Sequence, residues 1–81
     1  ESYTKKLLID YNLCREKVME EINELVDALN EKKREVNEAA DVFYHLLVLL
    51  EANNIKIEDV LDELKKRQGT SGLIEKLNRK E

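Results

Sequence analysis

The chain has 81 residues, of which 40% are charged and 5% are aromatic, with no proline and two glycines. A sequence of this length forms one domain with a small core, and the shortage of turn-forming and aromatic residues argues against β-sandwiches and barrels. The net charge of −4 argues against a broad basic surface for nucleic acid, and the longest apolar stretch, residues 42–50, is too short to span a membrane.

The first predicted element is a short helix that begins after Ser2, because a serine hydroxyl suits the N-cap position. Asp10 and Asn12 then predict a break. From Leu13 to about Lys33, apolar residues recur every three or four positions, which predicts one long amphipathic helix. Three consecutive cations at its end suit a helix C-terminus and mark the following turn. The apolar stripe of this helix consists of Val18, Ile22, Leu25, Val26 and Leu29.

A second long helix is predicted from about Glu35 to Ala52. Its second half, residues 42–50, is apolar on nearly every face, and so short a chain offers too few partners to cover all of them. The simplest solution is a second copy of the chain, so this segment predicts a homodimer interface. The single cysteine, Cys14, cannot form an internal disulfide; we expect a buried packing residue in a reducing, cytoplasmic setting.

The remaining residues predict a turn, a third helix and a final helical turn. Asn53-Asn54 tolerates left-handed backbone and marks the turn. Glu58-Asp59 suits the first turn of the third helix, and Gly69 suits its end. The segment 73–77 is predicted to form the final turn, and we expect the inner face of the third helix to consist of Ile57, Val60, Leu61 and Leu64. The predicted fold is therefore an all-α, antiparallel helical bundle completed by homodimerisation, with residues 1–81 as a single domain.

Five acidic residues form two clusters at helical spacing. The first long helix carries Glu20, Glu21 and Glu24, and the second carries Glu38 and Asp41. Carboxylates three or four positions apart share one face of a helix, where like charges repel unless a cation neutralises them. Magnesium prefers such oxygen ligands together with substrate phosphates. The residues alone leave open whether these acids bind a metal or form a solvated face.

The pattern EExxE, thirteen further residues and ExxD resembles the signature of the all-α, MazG-type nucleotide pyrophosphohydrolases. Within that superfamily, four ordered segments resemble the phosphoribosyl-ATP pyrophosphohydrolase family most closely. They are SYTKKLL, KVMEEINEL, EAADVFYHLLVLL and IKIEDVLDELKKRQG. The resemblance extends from Ser2 to about Gly72. It implies an enzyme of histidine biosynthesis that hydrolyses N1-(5-phosphoribosyl)-ATP to phosphoribosyl-AMP and pyrophosphate.

The resemblance also implies a magnesium-dependent mechanism. We hypothesise that Glu21, Glu24, Glu38 and Asp41 bind one or more Mg²⁺ ions. Glu20 would be a further ligand or the carboxylate that orients the attacking water.

Candidates for substrate binding carry two interpretations each. Lys17 could pair with the acids one turn later or reach a phosphate. Lys65 and Arg67 could form an exposed helix end or hold a phosphate group. The family pattern gives Tyr3 and Thr4 a place in the substrate pocket, although tyrosines are also ordinary packing residues. The only histidine, His45, fits a satisfied position between helices better than a contact to the acids.

Members of this family usually carry another helix before the SYT segment. We therefore expect the chain either to lack that helix or to derive from a longer polypeptide. Two other functions stay open at this point: a house-cleaning nucleoside triphosphate pyrophosphohydrolase on the same scaffold, and a non-catalytic helical dimerisation module.

Overall fold

The computed structural model describes residues 2–68, which form four helices and no strand. The helices are α1 (Tyr3–Ile9), α2 (Tyr11–Glu31), α3 (Glu35–Ala52) and α4 (Ile57–Lys66). The all-α prediction is confirmed for this part of the chain. Helices α2 and α3 form the central pair, and α1 packs against both. No described helix is long and apolar enough to cross a membrane. The predicted stop at Gly69 and the final turn at 73–77 lie outside the described residues.

A single residue, Asp10, separates the first two helices. Its backbone N–H donates to the carbonyl of Lys6 at 3.0 Å and ends α1, while its Oδ1 accepts from the backbone N–H of Leu13 at 3.1 Å and caps α2. The predicted cap at Ser2 is confirmed, since its Oγ accepts from a backbone N–H at 3.0 Å. The predicted break at Asn12 is wrong: one aspartate serves both helix ends, so Asn12 already lies inside α2.

The turn between α2 and α3 lies where the cations predict it and uses left-handed backbone without glycine. Lys32 has φ 60° and Arg34 has φ 62°. This conformation costs a residue with a Cβ roughly 1–2 kcal/mol, so packing of the two helices must compensate for it. The predicted bounds of α3 are confirmed, and Asn54 (φ 60°) confirms the turn that follows.

The core of a single chain is small. Its centre is Leu7, Cys14 and Val48, one residue from each of α1, α2 and α3. Cys14 is fully buried, which confirms it as a packing residue, and burial raises the pKa of its thiol. Within residues 2–68, the other buried apolar residues are Val18, Ala28 and Val42.

Two predicted apolar faces are not covered within one chain. On α2, the line that packs inward contains Val18, Glu21 and Ala28, whereas Ile22, Val26 and Leu29 of the predicted stripe are 38–54% exposed. The expected inner face of α4 is not found among the described residues, because α4 makes little contact with the other described helices and has no buried residue. Segment 42–50 leaves Phe43, Leu46 and Leu47 exposed in the single chain, and its role as a dimer interface stays a prediction.

Candidate metal centre

The carboxylates of the two acidic clusters meet where α2 and α3 pack together. Single oxygens of Glu20, Glu21 and Glu24 lie within 4.8 Å of one another, and so do oxygens of Glu21, Glu38 and Asp41. Glu21 belongs to both groups and therefore joins the acids of one helix to those of the other. The structure thus brings together all five acids that the sequence singled out.

Two carboxylate oxygens in this group are buried and have no hydrogen-bond partner among the described residues. They are Oε1 of Glu21 on α2 and Oε1 of Glu38 on α3. A buried polar atom that loses its hydrogen bonds to water costs on the order of 1–3 kcal/mol, and a charged one costs more. Hard divalent cations take carboxylate oxygens as ligands. The donor set of this site therefore fits such an ion, with one orphaned oxygen from each helix.

The pKa of Glu21 shows that negative charge in the cluster is not fully balanced. Burial raises the pKa of its carboxyl first, and the negative charges of Glu24 and Asp41 raise it further. His45 and Lys17 lower that pKa and offset only part of the effect. In the protein by itself, negative charge at this position is therefore under-compensated, as expected at a cation-binding site.

Two cations pair with acids of the cluster. Lys17 Nζ donates to Oε1 of Glu20 at 3.2 Å, and this hydrogen bond is the main cause of the raised pKa of Lys17. Of the two interpretations left open by the sequence, the ion pair is therefore present. Arg34 lies 3.5 Å from Oε2 of Glu38, and the sequence reasoning missed it. This ion pair could have been predicted from the sequence, because Arg34 precedes Glu38 by four residues at the start of α3.

The other candidate residues divide into near and distant sets. Tyr3 and Thr4 lie beside the site: the Tyr3 hydroxyl hydrogen-bonds Nε2 of His45 at 2.8 Å, and the Thr4 hydroxyl contacts the hydroxyl of Tyr44. His45 is 6% exposed, and its Nδ1 is 2.7 Å from the backbone carbonyl of Asp41. This confirms the prediction of a satisfied histidine between helices.

The two basic candidates lie at the C-terminal end of α4. Lys65 and Arg67 lie at the end of a helix that packs little against α2 and α3. Arg67 pairs with Glu63 of the same helix at 3.0 Å. Their role in phosphate binding stays a prediction.

Comparison with known proteins shows similarity to one protein family over most of the chain. The family described as phosphoribosyl-ATP pyrophosphohydrolase matches residues 1–68. The phosphoribosyl-ATP pyrophosphatase of Cereibacter sphaeroides is 43% identical over 96% of this chain and 79% of its own length. The enzyme of the same name from Neisseria meningitidis serogroup B is 44% identical over 100% of this chain and 78% of its own length.

A longer relative is also similar. The chloroplastic bifunctional histidine biosynthesis protein of Arabidopsis thaliana is 44% identical over 96% of this chain, which spans only 29% of that protein. No solved structure matches the chain.

Proposed function

The chain belongs to the phosphoribosyl-ATP pyrophosphohydrolase family, and we infer that it hydrolyses phosphoribosyl-ATP to phosphoribosyl-AMP and pyrophosphate in histidine biosynthesis. The observation that carries the chemistry is the pair of orphaned, buried oxygens on Glu21 and Glu38 within a group of five acids. A purely solvated acidic face would leave every oxygen in contact with water. Two buried and unpartnered carboxylate oxygens instead favour a site that is completed by a cation.

We propose that Glu21, Glu24, Glu38 and Asp41 hold Mg²⁺. When bound, this ion would neutralise part of the triphosphate charge and lower the pKa of a coordinated water. Glu21 suits the central ligand position because its oxygens reach both acidic groups. Asp41 and Glu38 are both partly buried, so a bound ion would be only partly exposed to solvent.

Glu20 suits a different role from the other acids. It is exposed, with 52% of its side chain accessible, and it is already paired with Lys17. An exposed carboxylate at the edge of the cluster can orient a water molecule and accept its proton. Lys17 can exchange this partner for a substrate phosphate, because the pair is surface-accessible and such pairs are weak. Lys65 and Arg67 would contribute to phosphate binding only from a repositioned or second-subunit α4.

We further propose that the protein works as a homodimer and that residues 1–81 act as one domain. The support is the contrast between the small core and the amount of apolar surface left over. Phe43, Leu46 and Leu47 of α3 are 67%, 41% and 45% exposed, and Leu61 of α4 is 55% exposed. Large exposed apolar patches typically mark protein interfaces. A cytoplasmic location remains a prediction from the cysteine content.

The direct test is pyrophosphate release from phosphoribosyl-ATP, with Mg²⁺ and with a chelator, beside a panel of ordinary and damaged nucleoside triphosphates. Metal-dependent turnover of phosphoribosyl-ATP alone is the expected result. Metal-dependent turnover of the panel instead would support the metal site but would show that the substrate is another nucleoside triphosphate. Turnover that persists at full rate in the chelator would overturn the magnesium proposal.

A further inference from the structure

Two half-exposed tyrosine rings lie together at the junction of α1 and α3. Tyr3 and Tyr44 are 44% and 38% exposed, and their ring planes differ by 18° with centroids 6.3 Å apart. His45 contacts both rings edge-on, at centroid distances of 5.7 Å and 5.0 Å. Since His45 itself is buried, the two half-exposed tyrosine rings rest on a residue that is packed inside the fold.

Hydrogen bonds hold this aromatic pair in place. The backbone carbonyl of Asp41 can only accept, so the hydrogen bond at 2.7 Å requires a proton on Nδ1 of His45. In the neutral ring, Nε2 then accepts from the Tyr3 hydroxyl at 2.8 Å. The Tyr44 hydroxyl is held by the hydroxyl of Thr4. The rings are therefore ordered before any ligand arrives, which lowers the entropic cost of stacking against them.

The aromatic pair adjoins the acidic cluster. Tyr44 follows Asp41 by three residues on α3, which brings the two side chains onto one face of the helix. The hydroxyl of Tyr3 lies within the electrostatic influence of Glu20, Glu21 and Lys17. A nucleotide whose phosphates lie at the acids would thus have its base, one ribose away, within reach of the rings.

We propose that the Tyr3–Tyr44 pair is the subsite for the N1-substituted adenine of the substrate and binds it by cation–π stacking. This inference rests on the proposed function. Substitution at N1 makes adenine strongly basic, so the base carries a positive charge near neutral pH that the adenine of ATP lacks. The face of a tyrosine ring attracts such a cation. The pair therefore selects phosphoribosyl-ATP against the far more common ATP.

The first experiment compares 1-methyl-AMP with AMP as inhibitors of phosphoribosyl-ATP hydrolysis at saturating Mg²⁺. The wild type is expected to prefer 1-methyl-AMP. Tyr44→Leu removes the π face but keeps an apolar side chain, and it should reduce that preference roughly 2- to 30-fold and raise KM more than it lowers kcat. Tyr44→Phe should retain most of the preference. Tyr11→Leu is the matched control, because Tyr11 is similarly exposed but stacks with Arg15 instead.

A second measurement does not depend on turnover or on a folded variant. Titration of the wild-type protein with 1-methyl-AMP should shift the aromatic NMR signals of Tyr3 and Tyr44 more than titration with AMP does, while those of Tyr11 stay unchanged. Equal shifts, or a Tyr44→Leu enzyme with unaltered preference, would overturn the inference even if phosphoribosyl-ATP hydrolysis is intact. Selective shifts in a protein that fails to hydrolyse phosphoribosyl-ATP would instead support the subsite and refute the proposed function.

Discussion

Replacing Glu21 with glutamine is expected to stabilise the metal-free protein while it removes activity. Glu21 is 8% exposed, has an unpartnered Oε1, and is repelled by Glu24 and Asp41. Loss of its charge relieves the repulsion from Glu24, about 0.2–0.5 kcal/mol for a pair at helical spacing, and the cost of a buried carboxylate. The free energy of unfolding should therefore rise by about 1 kcal/mol, or roughly 4–8 °C in Tm for a domain of this size.

Magnesium should reverse this order of stability. A ligand that binds only the folded state adds about 2.7 kcal/mol when it is present at 100 times its Kd. The wild type should gain stability in this way, whereas Glu21→Gln should gain little, because glutamine is a poor ligand for a hard cation. Activity, measured as pyrophosphate release, should fall together with this response to magnesium.

The pH dependence of stability tests the same reasoning about the charge of Glu21. Because burial and neighbouring acids raise the pKa of Glu21, protonation of Glu21 stabilises the fold. That contribution is complete below the ordinary glutamate pKa and is lost as the pH rises through the raised value in the folded state. The advantage of Glu21→Gln over the wild type, measured without metal, should therefore be largest at neutral pH and shrink on acidification.

Urea unfolding, monitored by circular dichroism in the presence of a chelator and then of Mg²⁺, measures both the stability without metal and the response to magnesium. Glu16→Gln is the control: it makes the same change at an exposed position of α2 outside both acidic groups, and it should alter neither stability nor the response to magnesium. The reasoning would be refuted by a Glu21→Gln protein that is less stable than the wild type without metal. It would also be refuted by one that responds to magnesium as the wild type does.

Three further predictions follow from single features of the fold. Asp41→Asn should lower turnover by at least about 100-fold, since it weakens a ligand, and wild-type kcat in a steady-state assay would contradict the assignment. Leu47→Asp should abolish the proposed dimer, because Leu47 is 45% exposed in the single chain and lies in the apolar segment of α3; a dimer that light scattering finds unchanged in the variant would show that the interface lies elsewhere. Lys32→Gly should raise the free energy of unfolding by about 1 kcal/mol, because φ 60° strains lysine but not glycine; no gain in urea unfolding would mean that this strain is relieved in another way.

Helix positions could be predicted largely from local signals. The cap at Ser2 and the bounds of α3 were predicted from residue types within a few positions of the helix ends. The predicted start of α2 was wrong by two residues. Asp10 alone ends α1 and caps α2, and the sequence pattern does not show that so short a break is enough. The prediction was also wrong in which apolar residues face inward, since the periodic stripe of α2 is wider than the line that contacts α3.

The five acids could be identified before the fold was known, because helical spacing brings Glu20, Glu21 and Glu24 onto one face and pairs Glu38 with Asp41. The packing of α2 against α3 was needed to show that Glu21 joins both groups and that two of the oxygens have no partner among the described residues. The contact of Tyr3 with His45, 42 positions later, likewise depends on how α1 packs across α3. Spacing within a helix is fixed by its 3.6-residue repeat. Contacts between helices depend instead on turn geometry and side-chain packing, which no local pattern of residues encodes.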